Sequence, residues 1–120
     1  MDYSGRITRL RAAMAKARCD ALLVTHLPNV RYLCGFTGSS GALLVGTRNF
    51  FFTDGRYAEQ AEKEVVGARA MIAKGPALIA AAKQAARLKK RKLGVEAEHL
   101  SVSAYDAVAD ALPKSVRLVA

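Results

Sequence analysis

Short apolar runs alternate along this chain with segments in which apolar residues recur every three or four positions. The runs predict strands, because a continuous apolar stretch bounded by turn residues is typical of a buried strand. The periodic segments predict amphipathic helices. The predicted strands cover residues 21–25, 41–46, 50–53, 69–73, 93–95 and 116–119, and the predicted helices cover residues 4–18, 30–34, 55–66, 76–89 and 103–112.

Strands that alternate with helices favour an α/β fold. We expect a three-layer sandwich in which helices cover a mixed, mostly parallel sheet. The strands at 41–46 and 50–53 are joined by only Thr47-Arg48-Asn49, so they predict one antiparallel hairpin within that sheet. The chain has no internal repeat, low-complexity tract or linker, which indicates one domain over residues 1–120.

Local signals predict where helices begin and which side chains face inward. Ser4 and Asn29 are the expected caps of the first two helices, Pro76 suits the first position of the fourth, and Pro113 stops the fifth. The expected core residues on strands are Leu23, Leu44 and Phe52, and those on helices are Ile7, Leu10, Met14, Ala17, Tyr57, Ala58, Ala61, Val65, Tyr105, Val108, Ala109 and Leu112.

Composition narrows the class of protein. Hydrophobic residues make up 52% of the chain and charged residues 24%, which is typical of a globular domain. No apolar stretch approaches the ~20 residues that span a bilayer, and the first residues have no signal-peptide layout, so we expect no membrane partner and a cytoplasmic protein. Cys19 and Cys34 have no metal-binding spacing and are expected to be buried or half-buried thiols.

The net charge of +9, from 19 Lys and Arg against 10 acids, raises the question of a polyanionic partner. One alternative is therefore a stand-alone basic module that binds RNA or another polyanion. The chain lacks an RNP-like aromatic motif, a KH-type GXXG loop and a zinc knuckle, so we rank this alternative second and expect no nucleic-acid partner. A solvated basic surface, or one that neighbours an acidic domain, explains the charge without it.

The loop 35–41 is the first candidate for chemistry, because Gly35, Gly38 and Gly41 permit close approach by a ligand or another backbone. A phosphate cradle is disfavoured, since the loop leads into a strand and no lysine follows in the required register. Ser39 and Ser40 lack the G-x-S-x-G elbow of a serine nucleophile, and nothing in the sequence couples them to His26 or His99.

Three other groups of residues also carry polar or aromatic side chains of interest. Asp54 precedes a helix and is expected to cap it, with Arg56 pairing with Asp54 or reaching across an interface. Glu96, Glu98 and His99 are the best local metal candidates, but strand alternation splits their side chains between opposite faces. Tyr32 and Phe36 are the best exposed-aromatic candidates, each with burial in the core as the alternative.

Two ordered motifs carry a family resemblance: N-V-R-Y-L-C-G-F-T-G-S-S-G at residues 29–41 and F-F-T-D-G-R-Y at residues 51–57. Together with the apolar hairpin between them, they resemble the N-terminal domain of the creatinase, prolidase and aminopeptidase P family. The resemblance covers nearly the whole chain. It implies a ribonuclease-H-like fold and a non-catalytic domain, with catalysis in a C-terminal metallopeptidase domain that residues 1–120 lack.

The resemblance also implies a function for the parent protein. Such a parent is an Xaa-Pro aminopeptidase or dipeptidase that uses two divalent ions (Mn, Co or Zn). These ions are held by two aspartates, a histidine and two glutamates that lie outside this chain. For the chain itself we therefore expect no catalytic residue, cofactor or metal. The expected partners are that catalytic domain, a second subunit in a homodimer, and the peptide substrate. Residues expected at the substrate pocket or interface are Tyr32, Phe36, Ser39, Ser40 and Arg56. A creatinase-type amidinohydrolase parent is a further alternative.

Overall fold

The computed structural model describes residues 1–120 and contains one six-stranded sheet between two layers of helices. The helices are α1 (Tyr3–Ala17), α2 (Leu27–Cys34), α3 (Ala58–Glu64), α4 (Ala77–Arg87) and α5 (Val102–Ala111). The strands are β1 (Ala21–Val24), β2 (Ala42–Val45), β3 (Phe50–Thr53), β4 (Arg69–Ile72), β5 (Lys92–Val95) and β6 (Arg117–Val119). None of the helices combines the length and the apolarity that a membrane crossing requires.

The strand order is β4-β3-β2-β1-β5-β6. β2 is antiparallel to both of its neighbours, and the other three neighbouring pairs are parallel. The predicted three-layer α/β sandwich, with a mostly parallel sheet and one antiparallel hairpin, is therefore confirmed. Asn49 closes the hairpin turn: its side-chain oxygen accepts from the Gly46 N–H at 3.2 Å and from Arg11 at 3.2 Å.

The core has two parts, one on each face of the sheet. α1, α2 and α3 cover one face, where Ile7, Val30 and Ala61 pack against Leu43 and Phe51. α4 and α5 cover the other face, where the predicted core residues Leu23, Leu44 and Phe52 are all at most 4% exposed. Cys34 is buried, Cys19 is half-buried, and both are free thiols.

Two predicted helix caps are wrong. Asp2 caps α1, since its carboxylate accepts from the Gly5 N–H at 2.9 Å, and Ser4 lies inside the helix. α2 begins at Leu27 after His26, so Asn29 lies within its first turn, and its side chain bonds to a distant residue instead of capping. Pro113 does end α5, because Leu112 before it is held in the extended conformation (φ −98°, ψ 144°).

Three predicted inward residues are exposed instead: Ala17, Ala58 and Ala109. The predicted helix 55–66 is divided into a 3₁₀ turn, Gly55–Tyr57, and the α-helix α3. A 3₁₀ turn has three residues rather than 3.6, so it rotates the residues after it relative to the expected face. Ala17 and Ala109 lie at the margins of apolar stripes whose larger members, Met14 and Val108, are buried.

Candidate functional site

The loop 35–41 connects the end of α2 to β2. α2 ends where Gly35 adopts φ 87°, a left-handed conformation that favours glycine. A Cβ atom at Gly35 would also lie 2.9 Å from the Glu64 carbonyl oxygen, so the loop leaves α2 in close contact with the end of α3. The first glycine of the motif is thus required by both backbone conformation and packing.

Glu64 fixes the first half of the loop. Its carboxylate accepts the Thr37 N–H at 2.8 Å and the Thr37 hydroxyl at 2.9 Å, and Gln60 donates to the Thr37 hydroxyl at 3.0 Å. Burial raises the pKa of Glu64, but these hydrogen bonds from Thr37 and Gln60 outweigh it and leave the pKa below its usual range. The charged form of Glu64 is therefore the form that holds the loop.

The two serines of the loop are held by different partners. The Ser39 hydroxyl is hydrogen-bonded to the Tyr57 hydroxyl, and this bond lowers the pKa of Tyr57. The Ser40 carbonyl accepts from the Thr53 hydroxyl at 2.6 Å, and Thr53 is fully buried. Neither serine bonds to a histidine, so the arrangement does not form a nucleophile and base.

Phe36 is a core residue, which corrects the hypothesis that it projects from the loop. Its side chain is 1% exposed. The ring lies 4.5 Å from that of Phe51 and 5.7 Å from that of Tyr57, the second contact being edge-on. The loop curls over this ring because Gly38 and Gly41 lack the Cβ atoms that would collide with Phe36 and Phe51. Phe36 therefore supports the loop from below.

Asp54 and Arg56 lie beside the loop at the end of β3. The Asp54 carboxylate caps the 3₁₀ turn by accepting the Arg56 N–H at 2.9 Å, and it also receives two guanidinium N–H groups at 3.0 and 2.8 Å. The Arg56 guanidinium thereby lowers the pKa of Asp54. The expected capping by Asp54 and its pairing with Arg56 are both confirmed. The Arg56 side chain is 72% exposed, so its outer face is free to meet a partner.

Tyr32 is exposed, as expected, but it lies away from the loop. Its ring stacks under the Arg6 guanidinium at 4.1 Å, and its carbonyl accepts from Arg6 at 2.8 Å. A groove of about 450 Å³ lies between α2 and the loop, lined by Arg31, Phe36 and Ser39 among others and not by Tyr32. Of the five candidate residues, the structure gathers Phe36, Ser39, Ser40 and Arg56 and separates Tyr32 from them.

Glu96 has a structural role that the sequence did not reveal. One of its oxygens accepts the N–H groups of Thr25 and His26 at 2.6 and 2.9 Å, and the other accepts the Asn29 amide at 2.6 Å. The carboxylate therefore ties the end of β5 to the start of α2. His99 stacks on His26 with ring centroids 3.6 Å apart. No cluster of three or more potential metal ligands is present, and the Glu96-x-Glu98-His99 group does not form one.

Comparison with known proteins agrees with the motifs and the fold. The family model described as the Creatinase/Prolidase N-terminal domain matches residues 6–120. A Bacillus subtilis (strain 168) protein named uncharacterized peptidase YqhT is 33% identical over 101 residues, which are 83% of this chain and 29% of that protein. The chain thus spans less than a third of this relative.

Two solved structures are similar over almost the whole chain. The N-terminal domain of cytoplasmic peptidase PepQ from Mycobacterium tuberculosis H37Rv has a TM-score of 0.90 and 38% identity, covering 96% of this chain and 91% of that one. An Xaa-Pro dipeptidase from Bacillus anthracis has a TM-score of 0.91 and 35% identity, covering 98% of this chain and 33% of that one. The chain belongs to the creatinase/prolidase N-terminal domain family.

Proposed function

We propose that this chain is the non-catalytic N-terminal domain of a larger, proline-directed dimetal peptidase. The observation that carries the proposal is the similarity over 98% of the chain to one third of an Xaa-Pro dipeptidase. In the parent, a C-terminal domain would hold the two divalent ions, and the chemistry that they would supply there is to lower the pKa of a bound water for attack on the peptide bond. The substrate is a peptide with proline in its second position.

The side chains of this domain do not fit a dimetal centre. Such a centre needs several carboxylate and imidazole ligands converging on each ion. Both oxygens of Glu96 are already occupied by hydrogen bonds, and the two histidines stack on one another. The metal ligands of the parent must therefore come from its other domain, and the role of the N-terminal domain is one of assembly and positioning.

We place that role in the loop 35–41 and the adjacent Arg56, as part of a homodimer in which the loop completes the substrate pocket of the neighbouring subunit. The loop is held from both sides, by Glu64 on α3 and by Thr53 on β3. Thr37, Ser39 and Arg56 nevertheless remain exposed. A fixed, polar edge of this kind positions a substrate at little entropic cost, and small displacements of such an edge have large effects on rate.

The first experiment compares the 120-residue chain with its parent protein. The purified chain should release no amino acid from an Xaa-Pro peptide with added Mn²⁺ or Co²⁺, whereas the parent should release it only with metal. The reading frame beyond Ala120 should encode Asp, Asp, His, Glu and Glu ligands in that order. Metal-stimulated cleavage by the chain alone, or hydrolysis of creatine instead of peptide by the parent, would contradict the proposal.

The second experiment tests the loop in the parent. Arg56→Ala should lower kcat/KM about tenfold or more while metal content stays unchanged, because the positioning edge is lost. Arg87→Ala is the matched control, since Arg87 is exposed on α4 in the opposite layer. Sedimentation of the parent reports whether it is a dimer. Equal kinetics for both variants would refute the assignment of the pocket to this loop.

A further inference from the structure

One half of one face of the sheet has no helix over it. The cluster beneath α1, α2 and α3 contains apolar residues from β1, β2 and β3 but none from β5 or β6. The cluster on the opposite face, beneath α4 and α5, does include Leu93 and Val95 from β5 and Leu118 from β6. No helix therefore lies over this side of β5 and β6, although Leu22 and Cys19 lie close over Gly94.

The residues on the uncovered side follow from strand alternation. Leu93 and Leu118 pair across β5 and β6 and face the α4–α5 layer. Their neighbours along each strand consequently point the opposite way. These are Lys92 beside Arg117 and Gly94 beside Val119. Two cations and two small apolar positions thus make up the uncovered face of β5 and β6.

A cleft of about 360 Å³ opens on this face, and we call it the basic cleft. Its walls are formed by Arg18, at the end of α1, and by Lys92 and Arg117, while Ala17, Val119 and Ala120 contribute apolar atoms. No acidic residue lines it. The cleft therefore combines an apolar surface with three cations.

None of these cations is neutralised within the domain. The only ion pair in the structure joins Arg56 to Asp54, at the other end of the sheet order. Asp20 lies near the start of β5, but its carboxylate accepts the backbone N–H groups of Arg91 and Lys92, each at 3.0 Å. Like charges on neighbouring strands repel one another, so Lys92 and Arg117 favour an external acidic group between them.

The apolar surface continues beyond the basic cleft. Leu22 on β1 lies directly over Gly94, 3.0 Å from the position a Cβ atom would take. Leu22 also lines a second cleft, of about 440 Å³, whose other lining residues include the cations Arg6 and Arg9 and the acidic Glu96. Leu22 therefore extends the apolar lining of the basic cleft from Val119 on β6 across Gly94 on β5 to β1.

We infer that the basic cleft, extended by Leu22, is a docking surface for an acidic amphipathic helix of a partner polypeptide. Two neighbouring strands span about 10 Å, the width of one helix with its side chains. Leucine-type side chains of that helix would cover Val119 and Leu22, and glutamates along its flanks would pair with Arg18, Lys92 and Arg117. If the proposed function holds, the helix belongs to the remainder of the parent protein, but the inference does not depend on it.

Two other occupants fit the surface less well. A second copy of this chain docked face to face across a two-fold axis would bring Lys92 and Arg117 against the same cations of its partner. A nucleic acid would be attracted by the charge, but base stacking needs aromatic side chains, and the basic cleft has none. The apolar lining matches a protein helix better than a phosphate backbone.

The test uses the isotopically labelled chain and a synthetic helix of about 18 residues, long enough to form in isolation, with leucines on one face and glutamates on its flanks. We expect this peptide to shift the amide signals of residues 92–94 and 117–119, and its affinity to fall as salt is raised. The same peptide with lysine for glutamate, and polyglutamate without leucines, should leave those signals unchanged.

The decisive variant is Lys92→Glu with Arg117→Glu, which should weaken binding of the acidic peptide at least tenfold. The control is Lys83→Glu with Arg87→Glu, two exposed cations of α4 on the opposite layer, which changes the net charge equally. Thermal melting confirms that both variants are folded. The inference would be overturned by equal weakening in both variants or by the absence of peptide binding below about 1 mM. It would also be overturned if a single-stranded oligonucleotide shifted the same amide signals more strongly, or if the chain self-associated through this face.

Discussion

Replacement of Glu96 by alanine should destabilise this domain more than any other single change at an acidic residue. Glu96 is half-buried, and its carboxylate receives three close hydrogen bonds from Thr25, His26 and Asn29. Hydrogen bonds to a charged group contribute about 1.5–3 kcal/mol each, but water replaces part of this at a half-buried site. We therefore expect a loss of about 2–4 kcal/mol in the free energy of unfolding.

The measurement is urea unfolding followed by circular dichroism, with thermal melting as a second probe. For a domain of this size the loss corresponds to a fall in Tm of about 10 °C. Glu98→Ala is the matched control, because Glu98 is exposed two residues away and takes part in no hydrogen bond, so its effect should stay within about 0.5 kcal/mol.

A conservative variant identifies the interaction involved. Glu96→Gln keeps one oxygen for the N–H groups of Thr25 and His26 but turns an amide toward the Asn29 amide, so the loss should fall to about 1 kcal/mol. Asn29→Ala should then cost less in the Glu96→Gln background than in the wild-type protein, which is the coupling that a double-mutant cycle measures. An unchanged midpoint for Glu96→Ala would refute the assignment of this carboxylate as the tie between β5 and α2.

Three further predictions concern the loop 35–41 and its supports. Phe36→Ala should lower the free energy of unfolding by about 3–5 kcal/mol, because the ring is fully buried; a loss below about 1 kcal/mol would contradict its role as a core residue. Gly41→Ala should destabilise by more than about 1 kcal/mol, since the new Cβ would lie 2.5 Å from the Phe51 ring, whereas Gly55→Ala, with no atom within 4 Å, should be neutral within about 0.5 kcal/mol in the same denaturation assay. The pKa of Glu64 is lowered in the folded state, so the ionised carboxylate stabilises the fold above its unfolded pKa of about 4.3, and this stabilisation is lost as pH falls through the folded pKa. The urea midpoint should therefore decline below about pH 4.3, and less steeply in Glu64→Gln.

Long-range polar contacts were beyond prediction from the sequence. Glu96 is separated from Asn29 by 67 positions, and Thr37 from Glu64 by 27, so no periodicity links them. The local sequence predicts a capping role for Asn29, but the tertiary contact with Glu96 occupies its side chain. The glycine-rich loop predicts an exposed Phe36 at a pocket, and only the fold shows that the glycines let the loop close over the ring.

The sequence by itself determined the number and type of the secondary-structure elements, the α/β class, the hairpin and the family motifs. It did so because apolar periodicity, proline, glycine and short turns act within a few residues, where local sterics and hydrogen bonding decide the conformation. The tertiary structure alone decided which polar groups meet across the sheet and which loop side chains are buried. It also left one face of β5 and β6 without a helix over it. Helix packing depends on the order of strands in space, and a linear pattern of residues does not specify that order.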